Sequence, residues 1–158
     1  MANITIEYMI LIPILILQIF LLPFAAGIFM SYWTTSSDTL ALNDASAHIS
    51  ASIGQLYLFL NNPSVSTGTV TNNLNLPSYI GNYAYNGTAT LASVSGSGSE
   101  TVLELTLTLV GTTISTTTPV TLGQNVQWMN STFASNTNNA GITGQKDSND
   151  TILLSFGS

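Results

Sequence analysis

Hydrophobic positions fall into three regimes along the chain. From Ile4 to Trp33 they are nearly continuous: ITIEYMILIPILILQIFLLPFAAGIFMSYW carries one charge, Glu7, and few polar side chains after it, chiefly Gln18 and Ser31. From Thr34 to Leu60 they become one-sided, with Leu42, Ile49, Ile53, Leu56, Tyr57 and Leu60 recurring at helical spacing and Ala41, Ala45 and Ala47 between them. After Asn61-Asn62-Pro63 the pattern shortens to alternation, clearest in Thr101–Val110, where Leu103, Leu105, Leu107 and Leu109 interleave with Glu104, Thr106 and Thr108.

These regimes predict elements. The first is a helix roughly 45 Å long at 1.5 Å per residue, enough to cross a bilayer. Apolar on every side, it needs lipid or protein around it. The second is an amphipathic helix ending at Asn61-Asn62-Pro63, its stripe facing a sheet; Ser36-Ser37-Asp38 is a possible break or cap between the two. A continuous Ile4–Leu60 helix would run roughly 85 Å. Beyond it, Val65–Leu76 reads as a polar loop or weak edge strand, and 76–85 as a turn entering an aromatic-rich strand. Asn86-Gly87 is a two-residue hairpin signal, with Thr88–Val94 as the returning strand. Ser95–Ser99 reads as a turn. The alternation of Thr101–Val110 makes a strand wet on one face, in an antiparallel sheet. Thr112–Leu122 is β-prone, and Pro119 places it at an edge. Val126–Phe133 is strand or short helix, Asn136–Asp150 a polar loop, and Thr151–Phe156 a closing strand. The fold class is α+β: a long N-terminal hydrophobic helix over residues 1–60, assembly- and membrane-competent to about residue 33, then an antiparallel, sandwich-like β head over 61–158.

Composition narrows the chemistry. In 158 residues only 5% are charged, with one Lys+Arg, seven Asp+Glu and a net charge of −6. That is far below the usual ~25% charged share. Nucleic-acid binding needs clustered Lys and Arg, and is excluded. The polar surface must be built from Ser, Thr, Asn and Gly, and its charge hardly changes with pH. There is no cysteine, so no disulfide supports the head. A secretory signal peptide fits poorly, because no Lys or Arg precedes Lys146 and the apolar run is too long. The same lack of basic residues leaves membrane orientation unreadable.

The start of the first helix carries a resemblance. Ile6-Glu7-Tyr8-Met9-Ile10-Leu11-Ile12-Pro13 sets an apolar residue, Glu, an aromatic and four apolar residues before Pro. This resembles the TadE-like pattern of type IV pilins, over about thirty residues. Pro23 lies near where many of those pilins bend or melt their helix. The basic residues that precede a prepilin peptidase cut are missing. Counted by the family, the mature chain would begin at Asn3. The resemblance implies a subunit held in the membrane, then extracted by an assembly ATPase and platform and packed helix against helix with copies of itself. It also implies that Glu7 pairs with a neighbour's N-terminal amine; a carboxylate in hydrocarbon is costly unless paired. The alternative leaves Glu7 among the headgroups near the helix start, where negative charge suits the dipole. Pro13 and Pro23 each remove one backbone hydrogen bond and favour a kink. The Ser, Thr and Asn richness, low charge and missing cysteine point to an archaeal member.

Other candidate chemistry is sparse. Asn86-Gly87-Thr88, Asn130-Ser131-Thr132 and Asn149-Asp150-Thr151 fit the N-glycosylation acceptor pattern, although several matches arise by chance in so Asn- and Thr-rich a chain. Asn62-Pro63-Ser64 is blocked by its Pro, and Asn3-Ile4-Thr5 lies at the base of the apolar helix. His48 has no second His and no Cys for a metal site, and no obvious carboxylate partner for a Ser triad. Glu100 and Glu104, four apart in a strand, stand roughly 13 Å apart, too far for a glycosidase pair. Asp147 and Asp150 beside Lys146 read as a solvated loop, at best a weak cation site. No catalytic residue, metal or cofactor is expected.

The expected function is that of a major pilin of an extracellular type IV-like filament serving adhesion or cell–cell contact, its heads meeting surfaces, cells or glycans. Rival readings are a non-polymerising membrane-anchored surface protein or minor pilin, and a viral coat protein. An enzyme is the weakest option.

Overall fold

A computed structural model describes residues 2–93, 100–137 and 140–157, the side chains of 2–7 and 93 excepted. The predicted Ser95–Ser99 turn lies outside the described residues. One helix, α1 (Ala2–Leu60), is followed by eight strands: β1 (Gly68–Asn73), β2 (Tyr85–Ser93), β3 (Glu100–Leu109), β4 (Ser115–Gly123), β5 (Val126–Trp128), β6 (Thr132–Ala134), β7 (Gly141–Lys146) and β8 (Ile152–Gly157). The fold is α+β, a long N-terminal helix with an antiparallel-rich β head. Two compact units divide between Ser37 and Asp38, so the last third of α1 belongs with the strands.

That division follows the hydrophobic pattern. Leu42, Ala45, Ile49, Ile53, Leu56 and Leu60 recur every three or four residues, and all are buried. They share one core with Leu103, Leu105, Leu107 and Leu109 of β3, with Val120 and Leu122 of β4, and with Ile142, Ile152, Leu154 and Phe156. Each such large side chain is worth about 1.5–3 kcal/mol on burial. Ser46 and Thr118 hydroxyls meet at 2.7 Å, so this polar member of the helix stripe is matched to β4.

The strands form two four-stranded sheets, ordered β1-β7-β8-β5 and β4-β3-β2-β6. Every pair is antiparallel except β5 with β8, which is parallel. The segment Val126–Ala134 is neither one strand nor a helix. Its first part joins one sheet and its second part the other, across Met129-Asn130-Ser131. Three rings close the core beside this crossing: Trp128 and Phe133 both stand edge-on to Phe156, at 4.9 and 4.8 Å between centroids.

Two sequence expectations fail for identifiable reasons. Asn86-Gly87 is not a hairpin turn; both residues lie inside β2, which pairs with β3 and β6. Gly87 is there because a Cβ would overlap the Phe133 ring. The tight turn falls earlier, at Gly81-Asn82, where Ile80 and Tyr83 exchange main-chain hydrogen bonds and Gly81 has φ 58°. The polar stretch 136–150 contains β7, a central strand. Gly144 and Lys146 replace apolar residues at its buried positions, which hid the alternation. A Cβ on Gly144 would strike Leu56 and Leu60, so its absence lets the end of α1 pack against the sheet.

Candidate functional site

The largest unsatisfied surface is the first part of α1. Every residue from Tyr8 to Ser37 is exposed except the half-covered Ala25. Phe20, Phe24, Phe29, Met30 and Trp33 are each more than 70% open. The described segment carries no ionised side chain between Tyr8 and Ser37, and is long and apolar enough to cross a membrane. A stripe-sided helix would gain stability from one packed face; this one is apolar all round and needs cover on every side. Its ridges leave an apolar groove of about 700 Å³ along Pro13, Ile16, Leu17, Phe20, Leu21 and Phe24.

Pro13 and Pro23 lie inside α1, and the helix runs without interruption through both. The missing N–H groups are therefore accommodated with the surrounding turns intact. Glu7 is helical in backbone, but its side chain lies outside the described residues, so its pairing is not on view.

The three acceptor asparagines differ in setting. Asn130 is exposed at the crossing between β5 and β6, and Asn149 is exposed at the tip of the β7–β8 turn. Asn86 also faces solvent, but from the middle of a sheet, opposite Thr108 and Ala134. His48 is exposed on α1, one turn from Asp44, beside a cavity of about 350 Å³ that Asn75, Leu76 and Pro77 also line. No ion pair joins His48 to Asp44, and among the described residues no three His, Cys, Asp or Glu side chains gather. Glu100 and Glu104 both point outward from β3.

The polar interior was not legible beforehand. Lys146, placed in a polar loop by the sequence beside Asp147 and Asp150, is 6% exposed. Its ammonium donates to the main-chain oxygens of Asn62 and Val65, each at 3.2 Å, and pairs with the exposed Asp150 at 3.3 Å. The one lysine of the chain thus sits just past the C-terminal end of α1, bound to the turn that follows it, where the helix dipole favours positive charge. Asn125 adds a second link there: its Nδ2 donates to Asn61 Oδ1 at 2.9 Å and to the Asp150 carbonyl at 3.0 Å. Buried Ser135 joins loop to sheet, accepting from Tyr85 N at 2.9 Å and donating to the Ser78 carbonyl at 2.7 Å. Tyr85 is fully buried, and its hydroxyl donates to the Pro77 carbonyl at 2.9 Å. Burial pushes its pKa up to about 12. These groups are spent on holding the head together, and their only signal in sequence is rarity: one lysine in 158 residues.

The outer face of the β4-β3-β2-β6 sheet is hydroxylic. Thr132, Thr88, Thr106 and Thr117 lie in one register row across its four strands, and Thr106 and Thr117 hydroxyls meet at 3.0 Å. Glu104 is the one charge near the centre of that face. Compared with known protein families, curated proteins and solved structures, the chain matches none.

Proposed function

We propose that this chain is a structural subunit, the major pilin of a type IV-like extracellular filament. The observation that carries the reading is the uncovered, uncharged surface of α1 from Tyr8 to Ser37, on a helix whose later turns build the core of a hydroxyl-rich head. Before assembly the apolar segment sits in the cytoplasmic membrane. An assembly ATPase and platform extract it, and a prepilin peptidase prepares it. The segment then exchanges lipid for the equivalent segments of other copies. Repetition of one such head-to-tail contact, without closure, builds an open helical filament. Glu7 pairs with a neighbour's N-terminal amine during docking, while Pro13 and Pro23 loosen the helix locally.

The heads form the outside of the filament. A surface of Thr, Ser and Asn with few ionised groups keeps its hydration over a wide pH range and suits an archaeal exterior. Glycans on Asn86, Asn130 and Asn149 add to it. The role is adhesion or cell–cell contact, including contact with surface glycans, and not catalysis.

Electron microscopy of material sheared from expressing cells tests this. Filaments composed of this chain are the expected result. A chain confined to membrane fractions, with no filament, overturns it in favour of an anchored surface protein. The apolar run has the length of one bilayer crossing, which gives that rival its support.

A further inference from the structure

Between Met9 and Met30, twenty-two residues in sequence, Gln18 has the single side chain with a strong hydrogen-bonding group. This stretch spans about 33 Å of helix, close to the thickness of a bilayer's hydrocarbon core. Tyr8 borders it on one side and Tyr32 and Trp33 on the other, residue types that settle at the two membrane interfaces. Anchored this way, Gln18 lies near the middle of the apolar layer, about 15 Å from Tyr8 along the axis. Its side chain is exposed and makes no hydrogen bond among the described residues.

A primary amide has two donor hydrogens and an acceptor oxygen, and hydrocarbon satisfies none of them. A second copy of the same chain offers an identical amide at the same depth. Donor and acceptor on one group make the pair self-complementary. The helix face supports this. Leu11, Gln18 and Ala25 are seven apart and share a side of the helix, with Ile14, Leu15, Leu21 and Leu22 beside them. Ala25 removes bulk one step along that seam and allows a neighbouring backbone to approach. The groove through Pro13, Phe20 and Phe24 meets this face only at Leu21 and is centred about a third of a turn away, so Gln18 marks a neighbouring contact face.

We propose that Gln18 is a self-association contact, its side-chain amide hydrogen-bonding to the Gln18 amide of a second copy of this chain inside the apolar layer. This deepens the assembly reading and rests on its premise that the first part of α1 packs against other copies. It gives the monomers a defined partner face already in the membrane.

The experiment uses the full chain in phosphatidylcholine vesicles. Gln124→Cys, in an exposed turn of a chain without cysteine, takes a single fluorophore. Energy transfer between donor- and acceptor-labelled chains is followed against the protein-to-lipid ratio. Gln18→Leu is expected to weaken association about three- to thirtyfold, the range for interhelical polar contacts in membranes. Gln18→Asn, which keeps the amide, is expected to stay within about threefold of the parent by the same scale. Equal helix content by circular dichroism shows that all three chains are folded. Association of Gln18→Leu equal to the parent, or of Gln18→Asn no better than Gln18→Leu, overturns the proposal. A parent chain that enters vesicles and stays monomeric at every ratio also overturns it. Gln18-dependent pairing in vesicles with no filaments on cells leaves this contact standing and sinks the pilus reading alone.

Discussion

The ammonium of Lys146 lies 3.2 Å from the main-chain oxygen of Asn62, joining strand β7 to the end of helix α1. It reaches Val65 O at the same distance, so one side chain holds both ends of the turn that follows the helix, whose own bond runs from Val65 N to Asn62 O. Its carboxylate partner, Asp150, is 83% exposed, so water screens that ion pair. The two residues are therefore expected to differ sharply in mutants. Lys146→Ala should destabilise the head by about 2–3 kcal/mol, from the loss of two charged hydrogen bonds at a buried position. Asp150→Ala should cost under about 1 kcal/mol. Urea titration of the full chain in detergent, followed by Trp128 and Trp33 emission, makes the comparison. Equal losses would show that the ion pair, and not the bonds to the turn, is what Lys146 contributes.

Gly87 faces the Phe133 ring, and Phe133 packs edge-on to both Tyr85 and Phe156. A methyl group at Gly87 has no space unless that ring moves. Gly87→Ala is expected to cost about 1–3 kcal/mol, the usual penalty for overpacking. Adding Phe133→Leu should recover part of this loss, because the smaller side chain vacates the overlap. Strict additivity of the two changes in thermal unfolding would mean that they do not share this contact.

The same glycine shows where sequence reading stops. Asn86-Gly87 has the composition of a turn, but a glycine can also be chosen for what packs against it, and only the fold reveals Phe133. Strand β7 escaped notice for a related reason. Its buried positions include Gly144, beneath Leu56 and Leu60, and Lys146, turned inward to the helix end. What was legible is what short-range periodicity controls: the α1 stripe from Leu42 to Leu60, the four leucines of β3, and the edge placements of β1 and β4. The parallel pairing of β5 with β8, and the passage of 126–134 between sheets, depend on contacts distant in sequence. At the candidate site, the extent of the apolar segment was plain from composition, whereas the isolation of Gln18 on its own face became an argument only with its exposure and lack of partners in view.

Tyr85 gives the head an alkaline limit. Its folded pKa is about 12, raised by burial, against an ordinary value of 10. The neutral phenol is thus favoured by the folded state. Its stabilising effect is complete below pH 10 and is lost progressively as pH rises from 10 through 12, because the unfolded chain ionises first. The loss is on the order of 2 kcal/mol. Tyr85→Phe should remove this alkaline dependence while costing about 1 kcal/mol at neutral pH for the bond to Pro77. Stability curves at pH 8, 10 and 12 check both parts; an unchanged alkaline loss in Tyr85→Phe would assign it to other groups.

Pro119 guards an open edge. Val110 N donates to Ala84 O and Leu109 N to Ile114 O, so even-numbered residues of β3 bond toward β2 and odd-numbered ones toward β4. Pro119 pairs with Glu104, an even position, so its nitrogen faces away from β3 along the free side of β4. The residue without an N–H stands at the midpoint of a nine-residue edge strand, where it interrupts the row of donors another strand would use. Pro119→Thr is expected to leave folding stability within about 1 kcal/mol. It should raise aggregation on concentration, with a gain in β signal by infrared spectroscopy. No change in aggregation would mean that the hydroxyl-rich face, not the proline, keeps these edges apart.

Glu7 is the one acidic residue in the Ile4–Trp33 run, and any subunit that moves it from headgroups into an apolar bundle must supply a positive partner. The chain has a single lysine, Lys146, and that ammonium is already held by Asn62, Val65 and Asp150. In the filament proposed above, a neighbour's N-terminal amine is the remaining strong cation. Glu7→Ala should therefore lower filament yield at least tenfold, about 1.4 kcal/mol per docking step, while urea unfolding of the head is unchanged. Acetylating the N-terminal amine should reproduce the defect in the parent chain and add nothing to it in Glu7→Ala. Filaments at parental yield from Glu7→Ala would place Glu7 among the headgroups and end its role in docking.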